Sequence, residues 1–127
     1  MVWPLNMQTK EVGKQGEDEA AKYLKNKGYK IIERNWRIKQ GELDIIAKHK
    51  GITVFVEVKT IKEKDGFSPE DEITPKKKRR LVRLAQLYFS KNKLPLDTKH
   101  RIDILSITLA ENSPKIQHFE NAIEDIY

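Results

Sequence analysis

The chain contains no cysteine. That removes disulfides, thiol nucleophiles and thiolate-bound metals together. Histidine is scarce as well: His49, His100 and His118 are the only three. They lie far apart in sequence, argue against a His-built zinc centre, and read as lone surface residues. Any metal must therefore be a hard cation held by oxygen. No stretch approaches the roughly 20 apolar residues that a membrane span requires. Val2-Trp3-Pro4-Leu5 is too short to be a signal-peptide core. A soluble, cytoplasmic protein with no membrane partner is expected.

What remains is a polar, basic chain. Its 127 residues suit one domain spanning 1–127, and a domain of this size buries roughly two thirds of its unfolded surface. Hydrophobic residues make up 38% and charged residues 35%, which is enough apolar content to fold. Lys and Arg number 25 against 19 Asp and Glu, a net charge of +6, and this balance tilts the partner toward a polyanion.

Between Gln8 and about Asn26, Val12, Gly16, Ala20, Tyr23 and Leu24 recur at three- and four-residue steps, the period of an amphipathic helix. Gly28 ends it, and residues 1–8 ahead of it read as a loose segment. Three strand-like segments follow: Lys30 to Lys39, Glu42 to Lys48, and Ile52 to Thr60. Gly41 and the His49-Lys50-Gly51 corner separate them into an antiparallel meander. Residues 61–73 have little periodicity and read as a mobile loop. Thr74 as N-cap and Pro75 in the first turn open a second helix with an apolar stripe of Leu81, Leu84, Ala85 and Tyr88. A strand from about His100 to Leu109, a turn at Asn112-Ser113-Pro114, a short strand near Ile116 to Phe119 and a terminal scrap of helix complete an α/β order of αβββαβ plus a tail.

Two acids sit where a core is expected. Ile52 to Val58 is an almost continuous apolar run, as in a strand buried on both faces, yet Glu57 interrupts it. In the neighbouring strand Asp44 lies between Leu43 and Ile45-Ile46. Buried carboxylates are rare unless they are paired or bound to a cation. With His49-Lys50 as a two-residue turn, facing residues sum to 99, so Asp44 faces Phe55 and Glu42 faces Glu57. Glu42, Asp44, Glu57 and Lys59 then share one face, with Asp44 and Glu57 as diagonal neighbours roughly 7–8 Å apart. Glu17, at i to Ala20 and Leu24 at i+3 and i+7, adds a third carboxylate from the helix. Carboxylates that hold Mg²⁺ or Mn²⁺ beside a lysine suit phosphodiester hydrolysis. The plainer reading is the polar face of a half-solvated hairpin.

Asp44 followed by Glu57-Val58-Lys59 resembles the D…ExK signature of restriction-endonuclease-like nucleases. The resemblance to the YraN family of small bacterial proteins is closer. It is carried by G-K-Q-G-E-D-E-A-A-K-Y-L (Gly13 to Leu24), R-N-W-R (Arg34 to Arg37), G-E-L-D-I-I-A (Gly41 to Ala47), V-F-V-E-V-K-T (Val54 to Thr60) and H-R-I-D-I-L (His100 to Leu105). Thr74-Pro75-Lys76 with Arg80-Leu81, and H-F-E-N-A (His118 to Ala122), extend it over nearly the whole chain from Gly13. Members are described as candidate endonucleases, and the fold is similar to that of archaeal Holliday-junction resolvases. The resemblance implies a restriction-endonuclease-like αβββαβ core, a central mixed sheet flanked by helices. It also implies a Mg²⁺- or Mn²⁺-dependent endonuclease. Asp44, Glu57, Lys59 and Glu17 would be catalytic, and Asp44, Glu57, Glu17 and the Val58 carbonyl would be ligands. The rival is a nucleic-acid-binding module of the same fold without significant catalysis.

The run Pro75 to Arg80 together with Arg83 supplies candidate phosphate contacts, since Lys76, Arg80 and Arg83 share one helical side. The alternative is a solvated helix face. Arg34 and Arg37 are further candidates for contact with DNA. Trp36 between them suits core packing better than base stacking. Asp103 breaks an apolar strand and is expected to pair with Arg101 or a core arginine. The oligomeric state, a homodimer among the options, is left open by the sequence.

Overall fold

The computed structural model describes residues 9–62 and 73–123. The element order is α1 (Thr9–Asn26), β1 (Lys30–Ile38), β2 (Gly41–His49), β3 (Ile52–Lys62), α2 (Pro75–Lys91), β4 (His100–Leu109) and β5 (Lys115–Phe119). The segment expected to be loose at 1–8, positions 63–72 of the expected loop, and 124–127 of the expected terminal helix lie outside the described residues. Ile61 and Lys62 belong to β3 rather than to a loop. Their partners Thr108 and Leu109 on β4 carry the ladder two residues further. Residues 120–123 form a turn and an irregular stretch, not a helix, tied back by Ala122 N–H donating to the Ile102 carbonyl at 2.8 Å.

The five strands form one mixed sheet in the order β1-β2-β3-β4-β5. Only β3 and β4 run parallel, and α2 is the crossover between them, as a parallel connection requires. The helices cover opposite faces. On one, Val12, Ala20, Ala21 and Leu24 of α1 pack on Ile45, Ala47, Val54, Val56, Leu105 and Ile107. On the other, Leu81, Leu84, Ala85, Tyr88 and Phe89 of α2 pack on Trp36, Ile46, Phe55 and Ile102. A sheet covered on both sides explains the near-continuous apolar runs of β3 and β4.

Two backbone features position the acids. The β2–β3 turn is Lys50-Gly51, with φ of 51° and 79°, a geometry that matches strand twist and favours glycine. Lys48 consequently faces Thr53 and Ile45 faces Val56. Facing residues sum to 101, not the 99 expected from a His49-Lys50 turn. One step beyond Ile45 and Val56, the same register sets Asp44 across from Glu57 rather than diagonal to it. The second feature is Asn35 at φ 54°, a left-handed conformation that asparagine tolerates better than most residues. Arg34 and Ile45 face each other on the α1 side, whereas Trp36 and Leu43 face each other on the α2 side. The alternation that normally keeps residues i and i+2 on one face is broken at Asn35. Glu42, beyond this break, departs from the single-face expectation and turns toward α1.

A candidate carboxylate site beside a basic helix

Gly16 brings α1 down onto the site. A Cβ built at this position would overlap the Thr60 side chain, lying 2.6 Å from Thr60 Cγ2 and 2.7 Å from its Cβ. Only a hydrogen fits. The close approach delivers the next residue, Glu17, to the end of the sheet where β2 and β3 carry Asp44 and Glu57.

Glu57 is buried, at 9% exposure, and Asp44 retains an edge toward solvent. The two carboxyl groups repel each other, and sharing a proton or a cation relieves the repulsion. Burial, followed by the charge of Glu57, pushes the Asp44 carboxyl up to about 8, although the Val58 N–H donated to Asp44 Oδ2 at 2.8 Å opposes the rise. Two acids that repel in a poorly solvated place are an electrostatic cost unless positive charge is supplied. Lys59, half-buried, follows Glu57 at i+2, the spacing that keeps a strand residue on one face.

Glu17 does not join the pair directly. With its amide oriented by its partners, Asn35 donates to Glu17 Oε1 and to Glu42 Oε1, each at 2.9 Å. Glu17 is raised by burial, against the opposing charge of Arg34, and its own charge is felt at Asp44. Among the described residues, no three His, Asp or Glu side chains converge as metal ligands do. The inner set is thus two carboxyls, with Glu17 and Glu42 as an outer acidic pair bridged by one amide.

The basic residues divide into two groups. Lys76, Arg80 and Arg83 are exposed on α2, as their spacing predicts. Arg34, a candidate for contact with DNA, donates to Asp18 Oδ1 at 2.7 Å and fastens β1 to α1, while its buried Nε has no acceptor among the described residues. Arg37 is outward-facing but forks onto Glu42 Oε2 at 2.7 and 3.3 Å. Trp36 is buried edge-on against Tyr88, with ring centroids 5.4 Å apart, and is closed to base stacking. Lys77 belongs to the basic run, but its pairing with an acid of the sheet is not singled out by the sequence: its Nζ lies 3.5 Å from Glu57 Oε2. The available clue was its place in the first turn after the Thr74 N-cap, whose Oγ1 accepts the Lys77 N–H at 3.1 Å.

A separate polar network lies on the α1 side of β4. Asp103, fully buried, accepts Arg101 Nε at 2.9 Å and the Asn121 N–H at 2.9 Å, and meets His118 Nε2 at 2.7 Å. Tyr23 OH contacts His118 Nδ1 at 3.1 Å, and Arg101 donates to Tyr29 OH at 2.7 Å. The expected Asp103–Arg101 pair is present. The expectation that the histidines are lone fails: His118 is bonded on both ring nitrogens, and His49 stacks on Tyr29 at 3.9 Å. Burial alone would raise Asp103, but hydrogen bonds from His118, Arg101 and the Asn121 N–H outweigh it and hold the carboxyl below its ordinary range.

The architecture is an α/β domain with a five-stranded mixed sheet between two helices, consistent with a restriction-endonuclease-like core. Residues 16–107 match the profile of UPF0102, described as an uncharacterised protein family. The chain belongs to this family, also known as YraN. A UPF0102 protein of Roseiflexus castenholzii is 38% identical over 90% of this chain and 94% of its own length. One from Persephonella marina is 42% identical over 88% and 92%, and one from Geobacter metallireducens 37% over 97% and 100%. Among solved structures, SfsA of Pyrococcus furiosus in complex with Ca²⁺ is 20% identical with a TM-score of 0.39. The match covers 89% of this chain and 64% of SfsA, and so slight a likeness carries no weight. No described helix is long and apolar enough to cross a membrane.

Proposed function

We propose that the protein is a metal-dependent endonuclease that hydrolyses DNA phosphodiester bonds, directed by DNA structure such as a branch or flap and serving repair or recombination. The observation that carries this reading is the placement of Asp44 beside the buried Glu57, two carboxyls that repel each other at the end of the hairpin. Hard oxygen donors suit Mg²⁺ or Mn²⁺, and because Mg²⁺ keeps several of its waters, two carboxyls suffice as direct protein ligands. The Val58 carbonyl is the proposed third protein ligand. When bound, the cation polarises a phosphoryl oxygen and makes its water more acidic.

The remaining work falls to side chains. Lys59 orients the attacking water and offsets charge developing at phosphorus. Glu17, held by Asn35, acts from the outer position through water. The exposed Lys76, Arg80 and Arg83 supply the contacts that register the phosphate backbone.

A nucleic-acid-binding module without catalysis is favoured by one observation, the engagement of Glu17 with Asn35 rather than with the inner pair. One assay decides between the two. Purified protein is incubated with Mg²⁺ or Mn²⁺ and single-stranded, duplex, flap and four-way DNA. Cleavage by the wild type, lost in both Glu57→Gln and Lys59→Ala while Lys59→Ala still binds, supports the enzyme. The double variant should lose little more, because residues acting as a unit are not additive. Wild-type binding without cleavage of any substrate supports the module, and Glu57→Gln cleaving at the wild-type rate overturns the site.

A further inference from the structure

Lys77 spends its charge on a residue that would otherwise bind the cation. Its side chain is 21% exposed and that of Glu57 10%, with 3.5 Å between Nζ and Oε2. Two opposite charges on side chains this sheltered interact more strongly than a solvated surface pair. Lys77 is absent from the apolar set that α2 packs on the sheet. It stands in the first turn, where the backbone N–H groups of a helix end add partial positive charge, and its neighbours on α2 are the exposed Lys76 and Arg80.

We propose that Lys77 is a phosphate-contacting residue of this site, parked on Glu57 until a divalent cation displaces it. A cation and an ammonium compete for the same carboxylate. The displaced ammonium stays within a side chain's length of the cation, where a non-bridging oxygen of the bound phosphodiester has to lie. Lys77 is thus a stand-in charge when the site is empty and a substrate contact when it is filled. Exposed Lys76, Arg80 and Arg83 track the backbone at a distance, whereas Lys77 addresses the phosphate at the cation. The inference rests on the nuclease reading only for the identity of the phosphate; the competition at Glu57 stands apart from it.

The test uses Mn²⁺ alone, titrated calorimetrically into the full-length wild type, Lys77→Met, Lys77→Gln and Lys77→Arg, each first checked for a cooperative melt. Parking predicts that the neutral variants bind Mn²⁺ at least roughly fivefold more tightly than wild type, the low end of typical coupling between ligands. Lys77→Arg should stay near wild type. With a short DNA duplex in Ca²⁺, Lys77→Gln should bind more weakly and lower the magnitude of the salt slope by up to about 0.9, one lost phosphate contact. Mn²⁺ affinity unchanged or weakened in both neutral variants means Lys77 is merely a structural partner of Glu57 and overturns the proposal. So does an unchanged salt slope. No Mn²⁺ binding by any variant overturns it too. Tighter Mn²⁺ binding and a reduced slope, with no cleavage of any DNA by wild type, support Lys77 while the nuclease reading fails.

Discussion

Val58 N–H and Asp44 Oδ2 meet at 2.8 Å, a backbone donor of β3 committed to a carboxylate of β2. The bond favours ionised Asp44, yet burial and Glu57 outweigh it and the group is pushed up to about 8 from an ordinary 3.8. A raised carboxyl means the unfolded chain ionises first. Its stabilisation is complete below about pH 3.8 and is lost as pH rises through about 8. Asp44→Asn keeps an oxygen for Val58 and carries no charge. In metal-free buffer it should match the wild type near pH 4 and melt several degrees higher near pH 9. A variant that melts well below wild type across this range would mark Asp44 as the structural partner of a cation.

Divalent ion should reverse that order. For a site with a dissociation constant of ~1 mM, Mg²⁺ at ~10 mM stabilises by RT ln 11, about 1.4 kcal/mol. A domain of this size should then melt on the order of 5 °C higher. The shift should shrink sharply in Asp44→Asn, as differential scanning calorimetry at pH 7.5 with and without Mg²⁺ will read.

Asp103 titrates in the opposite sense. Its depressed value means stability that is present above its ordinary range and lost as pH falls through the folded-state value. Asp103→Ala leaves Arg101 and His118 facing each other without the acid, and should destabilise by roughly 3–5 kcal/mol. Urea unfolding at pH 7 measures the loss. The variant should also lose less stability than the wild type as pH falls below the ordinary carboxylate range.

Gly16→Ala meets Thr60 side-chain atoms closer than any real contact permits. The overpacking should cost roughly 1–3 kcal/mol. It should also lift Glu17 away from the site, so metal affinity should fall together with the melting temperature. Adding Thr60→Ala, which removes both Oγ1 and the Cγ2 methyl, should restore part of the stability.

Removing Lys76, Arg80 and Arg83 together should weaken binding about equally across DNA sequences and lower the magnitude of the salt slope by up to about 0.9 per lost contact. Fluorescence anisotropy at several salt concentrations reads it. An unchanged slope would mean this face of α2 points away from DNA.

The element order, both helices and the acids of β2 and β3 were legible because each is a local signal: a 3.6-residue period, an N-cap before proline, a charge inside an apolar run. The hairpin register was two residues off because the corner His49-Lys50-Gly51 admits two turns. The positive φ of Lys50 and Gly51 chose the later one. Since the error was an even number, Asp44 and Glu57 still shared a face, whereas the face change at Asn35 that turns Glu42 away has no signature in hydrophobic pattern. Arg34 looked available because it lies in a basic cluster, and only the placement of α1 supplies Asp18. The partners of His118 come from positions 15 and 95 residues away, a relationship that only tertiary structure creates.

The ladder between β1 and β2 slips one residue between Ile31 and Glu33, and β1 is an outermost strand. An outer strand presents a row of unmatched N–H and C=O groups to which any extended chain can add, and a bulge interrupts that row. At the far side β5 is only five residues long and carries Lys115. Both margins of the sheet are therefore poor templates for further strands. Copies of the chain brought side by side thus meet margins that resist fusing into a continuous ribbon.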